Sequence, residues 1–247
     1  MKNIKSFIRS FLLIILLFII SSTVIAQKNT RLSFQVAPLY SYMDVKYGQY
    51  ANRNNPGIKD PLPGLSSALK FEVDLNNLLS VSAGLSFERR KNSYETELYD
   101  RSDTVRIIRL GDLPPYKMTT ASTYDYIGIP IELHVNYLNH SKLRIYQTFG
   151  TECSFLISAK GKGVRYYEKK GAINYTGNAI DDKTAVIVSL SSSIGVYKYI
   201  TDRVAIKIEP GINYMVNNFY ESSWAKLKYF DFKVDVGIVY NLYSKKD

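Results

Sequence analysis

A strict period of two is the feature that most limits what this chain can fold into. Apolar residues recur at every second position in segment after segment, with little 3.6-residue periodicity, which selects strands over helices. The first expected strand runs from Leu32 to about Tyr42 and aligns Leu32, Phe34, Val36 and Tyr40. A second, near Leu65 to Leu75, aligns Leu65, Leu69, Phe71 and Val73; a third, after Asn76-Asn77, aligns Leu79, Val81, Ala83, Leu85 and Phe87. The fourth, Tyr124 to Tyr137, puts Ile127, Ile129, Ile131, Leu133, Val135 and Tyr137 on one parity. A fifth, Leu143 to about Ile157, aligns Leu143, Ile145, Phe149, Cys153, Phe155 and Ile157. The sixth, Ala185 to Tyr199, aligns Val186, Val188, Leu190, Ile194 and Val196, and the seventh aligns Val204, Ile206, Ile208, Ile212 and Tyr214. The last, Lys226 to Tyr243, aligns Phe230, Phe232, Val234, Val236, Ile238, Tyr240 and Leu242, which makes eight strands.

The connections between these strands alternate in length. They are long around Pro56, short at Asn76-Asn77, long around Pro114-Pro115 and short at Asn139-His140-Ser141. A stretch rich in Gly and Lys, from Lys162 to Asp182, is read as a long loop; Thr201-Asp202 is short, and Asn217 to Ser223 is intermediate. Transmembrane barrels combine short periplasmic turns with longer outer loops, whereas a soluble sandwich has no reason to lengthen every other connection.

The two parities differ in chemistry. The apolar parity carries no charge in the central part of any strand, and its polar members are Ser67, Gln147, Thr151 and Ser192. A lipid-facing surface demands this, because a midplane Arg or Lys costs about 2–4 kcal/mol. The opposite parity carries Lys70, Glu72, Glu88, Glu132, His134, Arg144, Glu152, Lys207, Glu209, Lys233 and Asp235, interleaved with Gly and Ser such as Ser80, Ser82, Gly128, Gly150, Ser189 and Gly195. A narrow eight-stranded lumen needs small residues wherever charged ones cross it. In a soluble lipocalin-type barrel the faces would be reversed, but a water-facing surface this rich in Gly and Ser would weaken its strands. Tyr40, Tyr42, Tyr124, Tyr126, Tyr137, Tyr214, Tyr229 and Tyr243 fall near strand ends, where aromatic rings favour a membrane interface. Pro130 and Pro210 cannot donate to a ladder, so a bulge is expected near each.

The N-terminus sets the compartment. Lys2, Lys5 and Arg9 precede an uncharged run from Phe11 to Ile20, and Val24-Ile25-Ala26 supplies a small-residue cleavage pattern before Gln27. This is the layout of a secretory signal peptide over 1–26, leaving 27–247 as one domain. A retained membrane anchor is the alternative, disfavoured because no charged stop-transfer flank follows. Loss of Lys2, Lys5 and Arg9 lowers the formal charge from +10 to +7. An exported chain rarely meets nucleic acid, so that balance points to anionic lipid headgroups or to solvation. Cys153 is the only cysteine, which excludes an intramolecular disulfide.

Chemistry-bearing motifs are sparse. Only His134 and His140 are available as histidines, and His140 sits in a short turn. His134 lies beside Glu132 by parity, a pairing that suits an acid–base couple or, more simply, a hydrogen-bonded interior. No serine stands in a Gly-x-Ser-x-Gly elbow, no cluster has metal-ligand spacing, and Gly161-Lys162-Gly163 lacks the following helix of a phosphate loop. No catalytic residue, metal or cofactor is therefore expected.

The run Tyr126-Ile127-Gly128-Ile129-Pro130-Ile131-Glu132-Leu133 resembles the Y-x-x-I-P-I/L strand of PorT-like small outer-membrane β-barrel proteins. Glu209-Pro210-Gly211-Ile212-Asn213-Tyr214 and Val236-Gly237-Ile238-Val239-Tyr240-Asn241-Leu242 are similar to later strands of that family. The resemblance implies an outer-membrane barrel without catalytic residues, in a family whose name member assists protein secretion. The Lys-Lys-Asp that follows Ser244 displaces the terminal aromatic favoured by barrel-insertion machinery.

These readings converge on an all-β, eight-stranded antiparallel up-and-down transmembrane β-barrel in the outer membrane of a Gram-negative cell. The expected role is structural or interactive in the cell envelope, service as an accessory to protein secretion included. A narrow channel and an envelope-modifying enzyme are the alternatives. Expected partners are outer-membrane lipid and other envelope or secretion-system proteins, not nucleic acid.

Overall fold

The computed structural model describes residues 30–47, 57–97, 116–140, 142–167, 170–178, 185–221 and 225–242. The signal-peptide segment, Tyr243 with the tail behind it, and the connection centres at Pro56 and Pro114-Pro115 lie outside the described residues. The strands are β1 (Thr30–Tyr47), β2 (Gly57–Asp74), β3 (Leu79–Glu97), β4 (Lys117–Asn139), β5 (Leu143–Tyr167), β6 (Gly171–Asn178), β7 (Val186–Tyr199), β8 (Val204–Met215), β9 (Tyr220–Glu221) and β10 (Ala225–Asn241).

Eight of these close a ring in the order β1-β2-β3-β4-β5-β7-β8-β10, sealed by antiparallel pairing of β1 with β10 from Arg31↔Asn241 to Tyr47↔Ala225. Closure removes the free edges that an open sheet would expose, so each of the eight strands has a neighbour on both sides to pair its backbone within lipid. The remaining two strands are local additions: β6 folds back on the end of β5, and β9 pairs with the start of β10.

The apolar parity faces outward. Phe34 (55 % exposed), Leu85 (60 %) and Ile238 (59 %) stand on the outer surface with Ile131, Leu190, Ile194, Ile208 and Phe232. A stripe of this kind in water would be a large sticky patch; hydrocarbon is the solvent it fits. Gln147, a polar member of this parity, accepts a hydrogen bond from the Tyr137 hydroxyl at 2.6 Å.

Three features depart from the sequence reading. First, the strands outrun the alternation. A transmembrane strand needs about 9–11 residues, yet β4 has 23 and β5 has 25. The Lys162–Asp182 stretch read as a loop is in large part strand: Lys162 sits in β5, paired with Ala121 on one side and Thr176 on the other. Outside the hydrocarbon the outward face no longer has to be apolar, so pairing continues after the alternation has ended.

Second, neither proline carries a bulge. Pro130 keeps register with Glu152 of β5, and Pro210 with Val234 of β10. On its other side each proline simply interrupts the ladder: pairing skips Gly84-Leu85 opposite Ile129-Pro130, and Ile194-Gly195 opposite Glu209-Pro210. Pro38 does the same against β10 while it pairs with Leu65 of β2. A residue's N–H points to only one neighbouring strand, so a missing donor affects one ladder and leaves the register intact. The register shifts of β4 and β5 lie elsewhere, between Asp125 and Tyr126 and between Asn136 and Leu138.

Third, the tyrosine belt is smaller than expected. Tyr40, Tyr42, Tyr137 and Tyr214 are outward and exposed, but Tyr124, Tyr126 and Tyr229 point inward and are buried. In β4 the even positions face the interior, Glu132 and His134 among them, and Tyr124 and Tyr126 share that parity.

Candidate functional site

The inward parity converges on a polar interior that crosses the ring. Arg144 of β5 is fully buried. Its Nη2 lies 2.8 Å from Glu72 Oε1 of β2. Its Nε donates to Asn136 Oδ1 at 2.6 Å, and Nη2 also donates to Ser80 Oγ at 2.6 Å. Arg31 of β1 reaches the same Glu72 Oε1 at 3.0 Å and also binds Asp74. From the opposite wall, Tyr197 of β7 donates its hydroxyl to Glu72 Oε2 at 2.9 Å. Glu72 is thus held by groups from strands all round the ring. The Arg144 guanidinium carbon also lies 5.4 Å and 5.3 Å from the centroids of the Tyr146 and Tyr197 rings, within cation–π range.

A second level stands above it. Lys70 Nζ is 2.5 Å from Glu132 Oε1, a bond that passes over the intervening strand β3. Ser82 donates to Glu132 Oε2 at 3.0 Å. Lys207 Nζ is 2.5 Å from Glu209 Oε2 and donates to Gln35 Oε1 at 2.8 Å. Tyr146 donates to the same Glu209 oxygen at 2.8 Å, and Ser193 binds the other. Tyr146 fits because residue 195 is Gly; a Cβ there would overlap its ring.

His134 belongs to this level, with both ring nitrogens engaged: Nδ1 with Thr148 Oγ1 at 2.9 Å and Nε2 with Ser82 Oγ at 2.9 Å. Its Nε2 is 3.8 Å from Glu132 Oε2. Arranged so, and 1 % exposed, the imidazole offers no open nitrogen to a substrate. His140 is exposed in the β4–β5 turn.

Toward the long connections a third level holds Glu152, Glu88, Lys233 and Asp235. Ser86 and Ser154 donate to Glu152 Oε1 at 2.5 and 3.1 Å, and Lys233 lies 3.3 Å from Asp235. Arg90 binds Glu88 at 2.7 Å and Asp231 of β10 at 2.8 Å. Above that the chemistry changes. Tyr124, Tyr126, Ile187, Met215, Phe219 and Tyr229 form a buried cluster. The Phe219 ring sits edge-on, 5.0 Å from Tyr124 and 4.9 Å from Tyr229.

All eleven charged positions singled out from the sequence lie on the inner wall, in three levels rather than one cluster. Sequence reasoning missed Asp74, Arg90 and Asp231, each one step along the inward parity from a residue already chosen, and Arg31, on the inward parity of β1, where none was chosen. It also missed the interior aromatics Tyr146 and Tyr197. The same parity rule finds Asp74, Tyr146, Tyr197 and Asp231 within the strand bounds already drawn; Arg31 and Arg90 need β1 and β3 to run longer. Among the described residues, no group of three or more His, Cys, Asp or Glu side chains could hold a metal ion. Cys153 is a free thiol, half-buried on the outward parity of β5.

Residues 25–244 match the Outer membrane protein beta-barrel domain family. The chain belongs to that family. Membership places it in the outer membrane, in agreement with the closed ring and its apolar exterior. No curated protein sequence matches it. Among solved structures it is similar to Neisserial surface protein A, at 10 % identity and TM-score 0.45, covering 86 % of this chain and 97 % of that one. It is similar to OprG from Pseudomonas aeruginosa, at 10 % identity and TM-score 0.46, covering 88 % and 97 %. It is also similar to the outer membrane protease OmpT from Escherichia coli, at 12 % identity and TM-score 0.41, covering 87 % and 96 %.

Proposed function

We propose that this chain is a non-catalytic outer-membrane barrel with a closed interior, serving the envelope structurally and through contact with other envelope components. The observation that carries this reading is the engagement of Glu72 by Arg31, Arg144, Ser80 and Tyr197, which strings hydrogen bonds from one wall of the ring to the opposite one. Conduction would require a water path through that junction, and moving its charges apart would leave buried ions unpaired at several kcal/mol each. An eight-stranded ring gives the side chains nowhere else to go. A catalytic role would need a reactive group open to substrate, whereas His134 has both nitrogens bonded within the wall.

The PorT-like motifs make protein secretion the process in which to seek its partners, alongside the surrounding outer-membrane lipid; nucleic acid is not among them. Export through a signal peptide over 1–26 completes the reading, and N-terminal sequencing of outer-membrane material should begin at Gln27. Purified barrel in planar bilayers should show no steady conductance. Stable, ion-selective openings would replace this reading with a channel. Cross-linking in intact outer membranes, followed by identification of the captured proteins, should return envelope or secretion components.

A further inference from the structure

We propose that the outward face of β3, β4 and β5, just beyond the apolar band, binds phosphate-bearing lipid headgroups of the outer leaflet. The strand register lays this face out in rows. Phe87, Ile127 and Phe155 form one of the last apolar rows toward the long connections, with Ile157 exposed beside it. In the next row Arg89 is flanked by Leu65 and Asp125, and one row further Lys91 and Lys160 flank Thr123. A row beyond that, Lys162 flanks Ala121. The Lys91 and Lys160 backbones are therefore two strand spacings apart, about 10 Å, and Lys162 follows Lys160 by about 7 Å along the same strand.

The cations on this face divide into two kinds. Arg89 is held by Asp125 in a two-pronged contact of 2.7 and 3.1 Å, and Lys117 lies 2.7 Å from Glu95. Lys91, Lys160 and Lys162 are exposed, and none has an acidic partner among the described residues. Unpaired like charges at this spacing repel one another, and a multivalent anion between them relieves that repulsion. What lies below selects the kind of anion. The lysines continue directly from a surface built for acyl chains, so an amphiphile can lay its chains on Ile127, Phe155 and Ile157 and lift its phosphates to the ammonium groups. Long connections mark the outer side of such barrels, which assigns this face to the outer leaflet. The inference holds whether or not the interior conducts.

The test uses the full barrel purified in detergent, with bisphosphorylated lipid A and its dephosphorylated form as probes and native mass spectrometry as readout. Wild type should retain the phosphorylated lipid and largely release the other. Juxtamembrane lysines each contribute about fivefold to binding of anionic lipid. The K91Q/K160Q/K162Q variant should thus bind the phosphorylated lipid on the order of a hundredfold more weakly. K91R/K160R/K162R should bind like wild type. A variant with the same charge loss at the opposite end, K142Q/K198Q/R203Q, should stay within about twofold of wild type. Heat-dependent gel mobility shows whether each variant is folded, and single K91Q, K160Q and K162Q changes, with smaller losses, stand in if the triple is not. Equal binding of both lipids, or equal loss in both triple-Gln variants, would overturn the proposal. Competition by millimolar inorganic phosphate would also overturn it, by showing a site for a free anion rather than for a lipid.

Discussion

Toward the short turns, Glu72 gathers Arg31, Arg144, Ser80 and Tyr197 into one buried junction. Toward the long connections, Phe219 wedges edge-on between Tyr124 and Tyr229 with Ile187 and Met215 around it. The same cylinder is filled by directional bonds at one end and by shape at the other. Directional bonds fail abruptly when one partner is removed, because the charges left behind cannot return to water. Aromatic packing fails by degrees, as neighbours lean into the space. Arg90 joins the two regimes: it pairs with Glu88 and Asp231, and its guanidinium carbon lies 5.5 Å from the Tyr229 ring centroid.

The difference can be broken experimentally. Glu72→Ala should have the largest effect, about 3–5 kcal/mol, because it leaves two buried guanidinium groups, Arg31 and Arg144, to share the single carboxylate of Asp74. Urea titration of the barrel in vesicles, followed by gel mobility, measures it; a loss below about 1 kcal/mol would show the junction to be solvated rather than dry. Phe219→Ala should cost about 3 kcal/mol by opening a cavity in the aromatic cluster. Its conductance should remain nil, since the charged levels still block the path. Openings in Phe219→Ala alone would assign the closure to the aromatic end.

Leu133→Arg, outside the wall but level with the charges, should cost about 2–4 kcal/mol in the same titration. A milder outcome would mean the outward face there is not in hydrocarbon. Gly195→Ala should cost about 1–3 kcal/mol through overlap with the Tyr146 ring. Recovery on adding Tyr146→Phe would trace the strain to the hydroxyl end of that ring, and no recovery would trace it to the ring itself. Lys162→Gln, on the exposed sheet beyond the membrane, should change stability by less than about 0.5 kcal/mol.

The hydrocarbon zone was legible because it imposes a rule on every second residue. Ile127 to Tyr137 and Phe230 to Leu242 could not be apolar on one parity and charged on the other unless the faces met different solvents. Where that rule lapses, so does the reading. Met118 to Thr123 and Lys160 to Tyr167 pair as strands without alternation, and Gly161, Lys162 and Gly163 have the composition of a loop. Backbone hydrogen bonding to β6 holds them extended, and composition does not report it. The tyrosines show a subtler limit. Proximity to a strand end suggested an interface role for Tyr124, Tyr126 and Tyr229, but parity overrides position. The charged levels themselves were readable residue by residue; who meets whom was not, since Tyr197 and Glu72 are 125 positions apart and come together only when the ring closes.

The tall end of β5 has a consequence of height. From Phe155 at the apolar rim to Tyr167 the strand continues for a dozen residues, flanked by β4 on one side and β6 on the other for most of that length. At about 3.4 Å per residue and a tilt of about 40°, that raises its tip roughly 30 Å above the hydrocarbon. Neighbouring sugar chains would surround the lower rows, while the tip stands clear of short ones. Among the described residues this mast rises on one side of the ring, so the cylinder has a front and a back.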